Sequence, residues 1–130
     1  MNAATTANAY KTQQIMTASP EELTLMLYNG ALKFVAESVQ ALEQKNFEKS
    51  HNANIRAQEI VREFMATLDM NNQLSDNWYK LYEYVEHCLI QANLKKDTEK
   101  LLEAKSILQE FRDTWYQAMK LVRSQRAVAR

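Results

Sequence analysis

The sequence predicts an all-helical protein, and three observations lead to this fold class. The chain of 130 residues contains one glycine and one proline, whereas ordinary usage is about 7% and 5%. Sheets joined by tight turns need more glycine than this. Four amphipathic segments of roughly 20 to 25 residues, joined by short loops, are typical of a helical bundle. We therefore expect an antiparallel up-and-down four-helix bundle.

The first of these helices has a well-defined start. Ser19 can act as its N-cap, Pro20 suits the first helical position, and two glutamates follow where they favour the helix dipole. The stripe expected to face the core consists of Leu23, Leu27, Gly30, Ala31, Phe34, Ser38 and Leu42. The N-terminal half is apolar over a wider arc, since further apolar side chains lie off this stripe at Leu25, Met26, Tyr28 and Leu32.

Three more helices follow, separated by breaks near Lys45, at residues 70–75 and at Asn93–Asp97. The second spans about Phe47 to Asp69, and its inward face reads Ala53, Ala57, Ile60, Val61, Phe64 and Leu68. The third, capped by Ser75 or Asp76, carries Trp78, Leu81, Tyr82, Val85, Leu89 and Ala92. The fourth repeats a strict seam of threes and fours at Leu101, Ala104, Leu108, Phe111, Trp115, Ala118 and Val122.

Residues 1–18 form a separate segment. They are mostly alanine, threonine, asparagine and glutamine, with Tyr10, Ile15 and Met16 as the large apolar side chains. Such a composition favours mobility. We therefore divide the chain into an N-terminal arm, 1–18, and a helical bundle domain, 19–130.

Charge and composition exclude several classes of protein. Sixteen basic and sixteen acidic residues cancel, so no overall field recruits nucleic acid or anionic membrane. A local excess of positive charge follows Asp113, where Lys120, Arg123, Arg126 and Arg130 are expected mainly to complement a helix dipole. With one cysteine, no signal-peptide pattern and no long apolar run, we expect a soluble cytoplasmic protein.

Catalytic and metal-binding patterns are weak. A di-iron bundle needs two Glu-x-x-His pairs, and the chain offers one, Glu48 with His51, because Tyr84 precedes His87 by three residues. Cys88 lies near the core stripe of the third helix and is expected to be a small buried hydrophobic residue. We expect no enzymatic activity, no metal and no cofactor.

Aromatic residues indicate a binding surface. Tyr10, Tyr28 and Tyr84 lie outside the predicted core stripes, whereas Tyr82 and Trp115 lie on them and are expected to be buried, as is Trp78. Gly30 interrupts the first helix. Its favoured explanation is close approach of the second helix at Ala53 and Ala57, and the alternative is close approach of a partner's backbone.

These residues resemble the FliS family of flagellar export chaperones. The resemblance rests on Tyr10, on residues 17–23 (TASPEEL) and on residues 25–32 (LMLYNGAL). It continues in residues 81–84 (LYEY), in Ala92 and Asn93 followed by Asp97, and in residues 108–115, and it covers nearly the whole chain. The family often has glycines in the loop before the third helix, where this chain has residues 70–73 (MNNQ).

The resemblance implies a chaperone that binds the disordered C-terminal segment of flagellin in the cytoplasm, blocks premature polymerisation and helps deliver flagellin to the export gate. It implies no nucleic-acid or membrane partner and a monomer or weak homodimer. The arm would cover part of the binding surface until flagellin displaces it. The partner-binding residues that match the motif are Tyr10, Tyr28, Ala57, Ile60, Tyr82 and Tyr84. Replacing Tyr10 or Tyr28 with alanine is expected to weaken binding with a stability change below about 1 kcal/mol.

Two alternatives belong to other classes. A helical-bundle regulator would bind another protein or DNA, using the basic segment 120–130, although zero net charge and the lack of a helix-turn-helix pattern disfavour DNA. A self-assembling structural bundle would use the seam of the fourth helix between subunits.

Overall fold

A computed structural model describes residues 3–129 of the chain, with side chains from 5 to 128. Within this range there are five helices and no strand. The helices are α1 (Ala3–Thr17), α2 (Pro20–Glu43), α3 (Phe47–Thr67), α4 (Gln73–Lys95) and α5 (Thr98–Ala129). The first two residues of the predicted arm and Arg130 of the predicted basic segment lie outside the described residues.

The helices α2 to α5 pack side by side. The helix α2 contacts α3 and α5, and α4 also contacts α3 and α5, whereas α1 takes part in none of these four interfaces. The start of α2 lies against the C-terminal half of α5, where the guanidinium of Arg123 is 3.2 Å from a carboxylate oxygen of Glu22. These two helices therefore run antiparallel, and their contact joins the first and last of the four packed helices.

Side-chain caps start four of the helices, and at α5 the Asp97 carboxylate accepts from the backbone N–H of Glu99 at 3.0 Å. The Ser19 hydroxyl accepts a hydrogen bond from the backbone N–H of Glu22 at 3.2 Å, as its place before Pro20 predicts. The Asn46 side chain accepts from the N–H of Lys49 at 3.2 Å. The prediction for the third segment is wrong by a few residues, because Asn72 is the N-cap of α4 and the Ser75 hydroxyl donates to the Asp69 carbonyl instead.

Lysines occupy the left-handed positions at two helix ends. Lys45 has φ 59° after α2, and Lys96 has φ 55° after α4. Glycine is the usual residue in this conformation because other side chains are strained there by about 1 kcal/mol or more. The scarcity of glycine thus leaves these two turns with some strain.

Aromatic rings from all four packed helices meet in one layer of the core. The Tyr28 ring stacks on Phe64 with centroids 4.4 Å apart, and the Tyr82 ring stacks on Phe111 at 4.6 Å. The Trp78 ring meets Phe111 edge-on at 5.3 Å. Stacked and edge-on pairs add to the free energy of burial, so this layer ties α2, α3, α4 and α5 together.

Polar side chains are buried nearer the start of α3, before Phe64. The hydroxyl oxygens of Ser38 and Ser50 lie 2.8 Å apart, and the Asn54 amide donates to the Leu89 carbonyl at 3.0 Å. The Gln58 amide donates to the Asn54 side-chain oxygen at 2.7 Å. Because each buried polar group in this set has a partner, the interior tolerates it without the penalty of an unsatisfied group.

The face that α2 turns to the core differs from the predicted one. Its buried residues are Tyr28, Ala31, Leu32, Val35, Ser38 and Ala41. Ala31 and Ser38 confirm the prediction, whereas the placement of Tyr28 and Leu32 outside the core is wrong. Leu27 was expected inside and its residue is 38% exposed. The centre of the buried face is displaced by about 60° around the helix from the predicted one.

The α5 seam is confirmed in its first half. Leu101, Ala104, Leu108 and Phe111 are buried, whereas Ala118 is exposed and Val122 is 42% exposed. Expecting burial of the last two was wrong, because the helices beside α5 begin near this level. On α4 the expected burial of Leu81 is also wrong, since this residue is exposed.

The predicted arm contains the helix α1, whose side chains from 5 to 17 are exposed. Two residues, Ala18 and Ser19, separate α1 from α2. A chain segment without interior contacts opens and reorients easily. The mobility of this segment stays a prediction.

Candidate partner-binding surface

Five exposed or half-buried residues lie where α2 packs against α3. Leu27, Gly30 and Phe34 follow one another at helical spacing on α2, and Arg56 and Ile60 lie on α3. None of the five is fully buried. We call this surface the α2–α3 groove. Its apolar side chains lie beside the core without forming part of its fully buried interior.

Gly30 lies in the middle of this surface, next to Ile60. A Cβ atom built on Gly30 would lie 3.6 Å from Cδ1 of Ile60, which is an ordinary van der Waals distance. The helix α3 therefore lies close to Gly30, as predicted. The contact is made by Ile60 and not by the predicted Ala53 and Ala57. Since a Cβ atom would fit, packing between the two helices does not require glycine here.

One end of the α2–α3 groove widens into a polar depression of about 550 Å³. The guanidinium carbon of Arg56 lies 5.7 Å from the centroid of the Phe34 ring, a cation–π distance. Side chains of both charge signs line the depression, including Glu37, Glu48 and Lys49. This end can bind polar or charged groups of a partner, while the Leu27 end can bind apolar ones.

Three of the six predicted site residues lie in the interior. Tyr28 is 1% exposed, and Ala57 and Tyr82 are equally hidden. The prediction that Tyr28 lies at the surface is therefore wrong. Partner contact at Ala57 or Tyr82 would likewise require the helices to open. The physical reason is the rotation of α2, which places Tyr28 against Phe64 and Tyr82.

Tyr28 and Tyr82 form a buried hydroxyl pair. Their oxygens are 2.6 Å apart, and no other hydrogen bond involves either hydroxyl within the described residues. Burial raises the pKa of Tyr28 above its ordinary value, and it raises the pKa of Tyr82 further, with a contribution from the bond to Tyr28. Both phenols are therefore neutral at physiological pH, and the pair links α2 to α4.

Ile60 and Tyr10 remain accessible to a partner. Ile60 is half-buried on the wall of the α2–α3 groove. Tyr10 is 63% exposed on α1, where its hydroxyl accepts a hydrogen bond from the Gln14 side-chain amide at 3.3 Å. The structure places Tyr10 and Ile60 on different elements and shows no contact between them.

Tyr84 lies on the other side of the molecule, between α4 and α5. Its hydroxyl donates a hydrogen bond to Glu103, whose other carboxylate oxygen is 3.2 Å from the Lys100 ammonium. The bond to Glu103 raises the pKa of Tyr84, and the bonds from Tyr84 and Lys100 lower the pKa of Glu103. Tyr84 is partly exposed, but α3 and the α2–α3 groove lie elsewhere.

Potential metal ligands among residues 3–129 do not gather at one place. No group of three or more potential metal ligands occurs there, and the His51 ring nitrogen Nδ1 lies 2.8 Å from the Asn93 side-chain nitrogen. The buried position expected for Cys88 is confirmed. No helix in the same range has the length and apolar character needed to cross a membrane.

The sequence pattern does not predict Leu27, Phe34 and Arg56 as groove residues. It places the first two on the core stripe and gives no role to Arg56. A signal was present in the wide apolar arc of α2, which carries two overlapping stripes of large side chains. Only one stripe can face the core, so the other is available to a partner.

The fold and the α2–α3 groove define an all-helical protein with a partly apolar surface between two of its helices. The family model for the flagellar protein FliS matches residues 2–122. The chain is 42% identical over 118 residues to the flagellar secretion chaperone FliS of Bacillus subtilis, covering 91% of this chain and 89% of that protein. It is 30% identical over 106 residues to the flagellar secretion chaperone FliS of Salmonella typhimurium, covering 79% and 78%. The chain belongs to the FliS family, which confirms the resemblance in the sequence.

Proposed function

We propose that this protein is a flagellar export chaperone that holds the disordered C-terminal segment of flagellin in the cytoplasm. It would prevent premature polymerisation and then deliver flagellin to the export gate. Membership of the FliS family carries the proposal, and relatives from several bacteria are named flagellar secretion chaperones. Those relatives are chaperones by name, which supports a non-enzymatic role.

The α2–α3 groove is the surface we propose for one helical part of the client. A disordered client loses conformational entropy when it folds on its chaperone, so it must bury apolar surface to compensate. Each Å² of apolar surface removed from water contributes about 25 cal/mol. Leu27, Phe34 and Ile60 supply such surface, and Gly30 lets a client helix approach the α2 backbone.

The segment 1–18 is proposed as a displaceable cover. The helix α1 exposes Tyr10, Ile15 and Met16 and joins α2 through two residues. A short connection keeps its local concentration near the grooves high, and weak packing lets a client displace it. We propose that α2–α5 form an antiparallel four-helix bundle, monomeric or weakly dimeric, on which arm and client alternate.

Calorimetric titration with the C-terminal segment of flagellin from the same organism tests this function. We expect one-to-one binding with a negative heat-capacity change, because apolar surface is buried. The rest of flagellin is the control and is expected not to bind. Binding through the rest of flagellin, or no binding to either part, would refute the proposal.

Two variants locate the client. Ile60→Asn is expected to weaken binding about tenfold or more, since it places a polar group in the groove. Leu94→Asn is the matched control because Leu94 is highly exposed on α4, away from α2. Tyr10→Ala tests whether the arm affects client binding. Its control is Tyr116→Ala, because Tyr116 is another exposed tyrosine. Equal affinities of test and control variants would place the client elsewhere.

A further inference from the structure

The apolar seam of α5 continues past the part of the helix that its neighbours cover. The helix has 32 residues and α2 has 24, so α5 is longer by about 12 Å at 1.5 Å per residue. The spacing of three and four that buries Leu108 and Phe111 leads on through Trp115 to Ala118 and Val122, which are exposed. A seam of this kind normally packs against another helix.

A depression of about 320 Å³ lies along this uncovered seam. Its walls are Trp115, Ala118, Met119, Val122, Arg123 and Arg126 of α5 and Glu21 of α2. We call it the α5 groove. The Trp115 ring is fixed beside it, because the indole N–H donates to the Glu21 carbonyl at 3.0 Å. The floor is apolar and preformed, as a helix-binding groove requires.

Basic side chains outnumber acidic ones on the walls of the α5 groove, where Arg123 and Arg126 lie with Glu21. No acidic residue follows Asp113 in the chain. Arg123 is paired with Glu22 at 3.2 Å, whereas no ion pair is found for Arg126 within the described residues. In the heptad register of the seam, Arg126 flanks the apolar positions, where charges choose the partner helix. An acidic side chain on an incoming helix would pair with Arg126.

The protein's own N-terminal segment is a poor match for this groove. Residues 1–18 contain Lys11 and no acid. Tyr10, Ile15 and Met16 are separated by five residues and by one, so they point from different faces of α1 and form no stripe. A complementary occupant needs apolar residues at intervals of three and four with acids beside them.

We propose that the α5 groove docks an acidic amphipathic helix of a second protein, independently of the flagellin segment. The two surfaces lie mainly on different helices, with Ile60 on α3 and Val122 on α5, and α3 forms no principal interface with α5. Both surfaces border α2. Glu103, the partner of Tyr84, precedes Val122 by 19 residues, or about 28 Å along the helix. The inference does not rest on the proposed flagellin function.

The test uses the full-length protein and two fluorescent synthetic peptides. Each peptide has three heptads with leucine at the seam positions, and the flanking positions carry glutamate in one peptide and lysine in the other. Fluorescence anisotropy gives the affinities at several salt concentrations. The test variants are Arg126→Glu and Val122→Asn. Their controls are Lys33→Glu, at an exposed lysine on α2, and Leu102→Asn, at a similarly exposed apolar site on α5.

We expect the glutamate peptide to bind the unaltered protein and the lysine peptide to bind at least about tenfold more weakly. Arg126→Glu should weaken the glutamate peptide about five- to tenfold and improve the lysine peptide. Val122→Asn should weaken both peptides, and the controls should stay within about twofold. Circular dichroism checks the fold, and Arg126→Glu still tests the groove if Val122→Asn unfolds.

Several outcomes would overturn the inference. Equal affinity for both peptides would show that charge does not select the occupant. No binding of either peptide near millimolar concentration would show that the groove is not a docking site. Anionic vesicles that bind the protein and release the peptide would indicate a lipid surface. Self-association abolished by Val122→Asn would indicate a second copy of the chain. If Arg126→Glu no longer binds the C-terminal segment of flagellin, the two surfaces form one binding site. If the flagellin segment binds neither the unaltered protein nor any variant, the proposed function is refuted and the inference about the α5 groove is not affected.

Discussion

The buried hydroxyl pair of Tyr28 and Tyr82 permits a sharp test of the core assignment. Their oxygens are 2.6 Å apart, and both side chains are almost completely buried. Tyr28→Phe removes one hydroxyl and keeps the ring stacked on Phe64. It leaves the Tyr82 hydroxyl without a partner, which costs about 1 to 3 kcal/mol. Tyr82→Phe should cost a similar amount for the same reason.

The double variant separates this explanation from a loss of packing. With both hydroxyls removed, no unsatisfied group remains, and the cost should fall to about 0.5 to 1 kcal/mol. Urea unfolding followed by circular dichroism measures all three free energies, with Tyr116→Phe as an exposed control expected within about 0.5 kcal/mol. We expect a coupling energy of about 1 kcal/mol or more. Additive single effects would refute the pair.

The pair also predicts how stability depends on alkaline pH. Burial raises the pKa of both phenols above the value they have in the unfolded chain. The contribution of the neutral pair is therefore fully present below about pH 10 and decreases as pH rises further, because the unfolded state then releases protons more readily. The double phenylalanine variant should lose less stability between about pH 10 and 11 than the unaltered protein. Parallel pH profiles would contradict this.

Three further predictions concern other parts of the molecule. Gly30→Ala should stabilise the protein by up to about 1 kcal/mol in urea unfolding, since the added Cβ meets Ile60 at an ordinary distance. A loss of stability would contradict the open groove. Trp115→Ala should lower the free energy of unfolding by about 3 kcal/mol in the same assay, because packing and the hydrogen bond to Glu21 are lost. An unchanged urea midpoint would show that Trp115 does not stabilise the fold. Tyr84→Phe should raise the pKa of Glu103 towards its ordinary value in an NMR titration, because the donated hydrogen bond is lost. Titration unchanged from the unaltered protein would show that the bond is absent in solution.

The revised position of Tyr28 changes an earlier expectation. Tyr28→Ala was expected to weaken client binding with little effect on stability. The structure places this ring in the aromatic layer, so truncation should cost about 3 to 5 kcal/mol. Any loss of binding in that variant would then report unfolding. Tyr28→Phe, which keeps the ring, is the better test of a role in binding.

The rotation of α2 marks the limit of the sequence pattern. Positions 27, 31, 34 and 38 follow helical spacing, and so do positions 28, 31, 35 and 38. Both sets are apolar or small, and they share Ala31 and Ser38. Periodicity predicts the helix and its amphipathic character, but two stripes one residue apart fit it equally. The apolar residues of the second stripe are the ones that remain for a partner in the α2–α3 groove.

The sequence by itself determined the helical class, the helix start at Ser19, the start of the next helix near Phe47, and the family. These depend on local features, namely capping side chains, the lack of glycine and the order of a motif, which act within a few residues along the chain. Only the tertiary structure decided which stripe of α2 faces inward and where the α5 seam becomes exposed. Both depend on the neighbouring helices: Phe64 and Tyr82 provide the space that the Tyr28 ring fills, and the start of α2 sets where the cover of α5 ends.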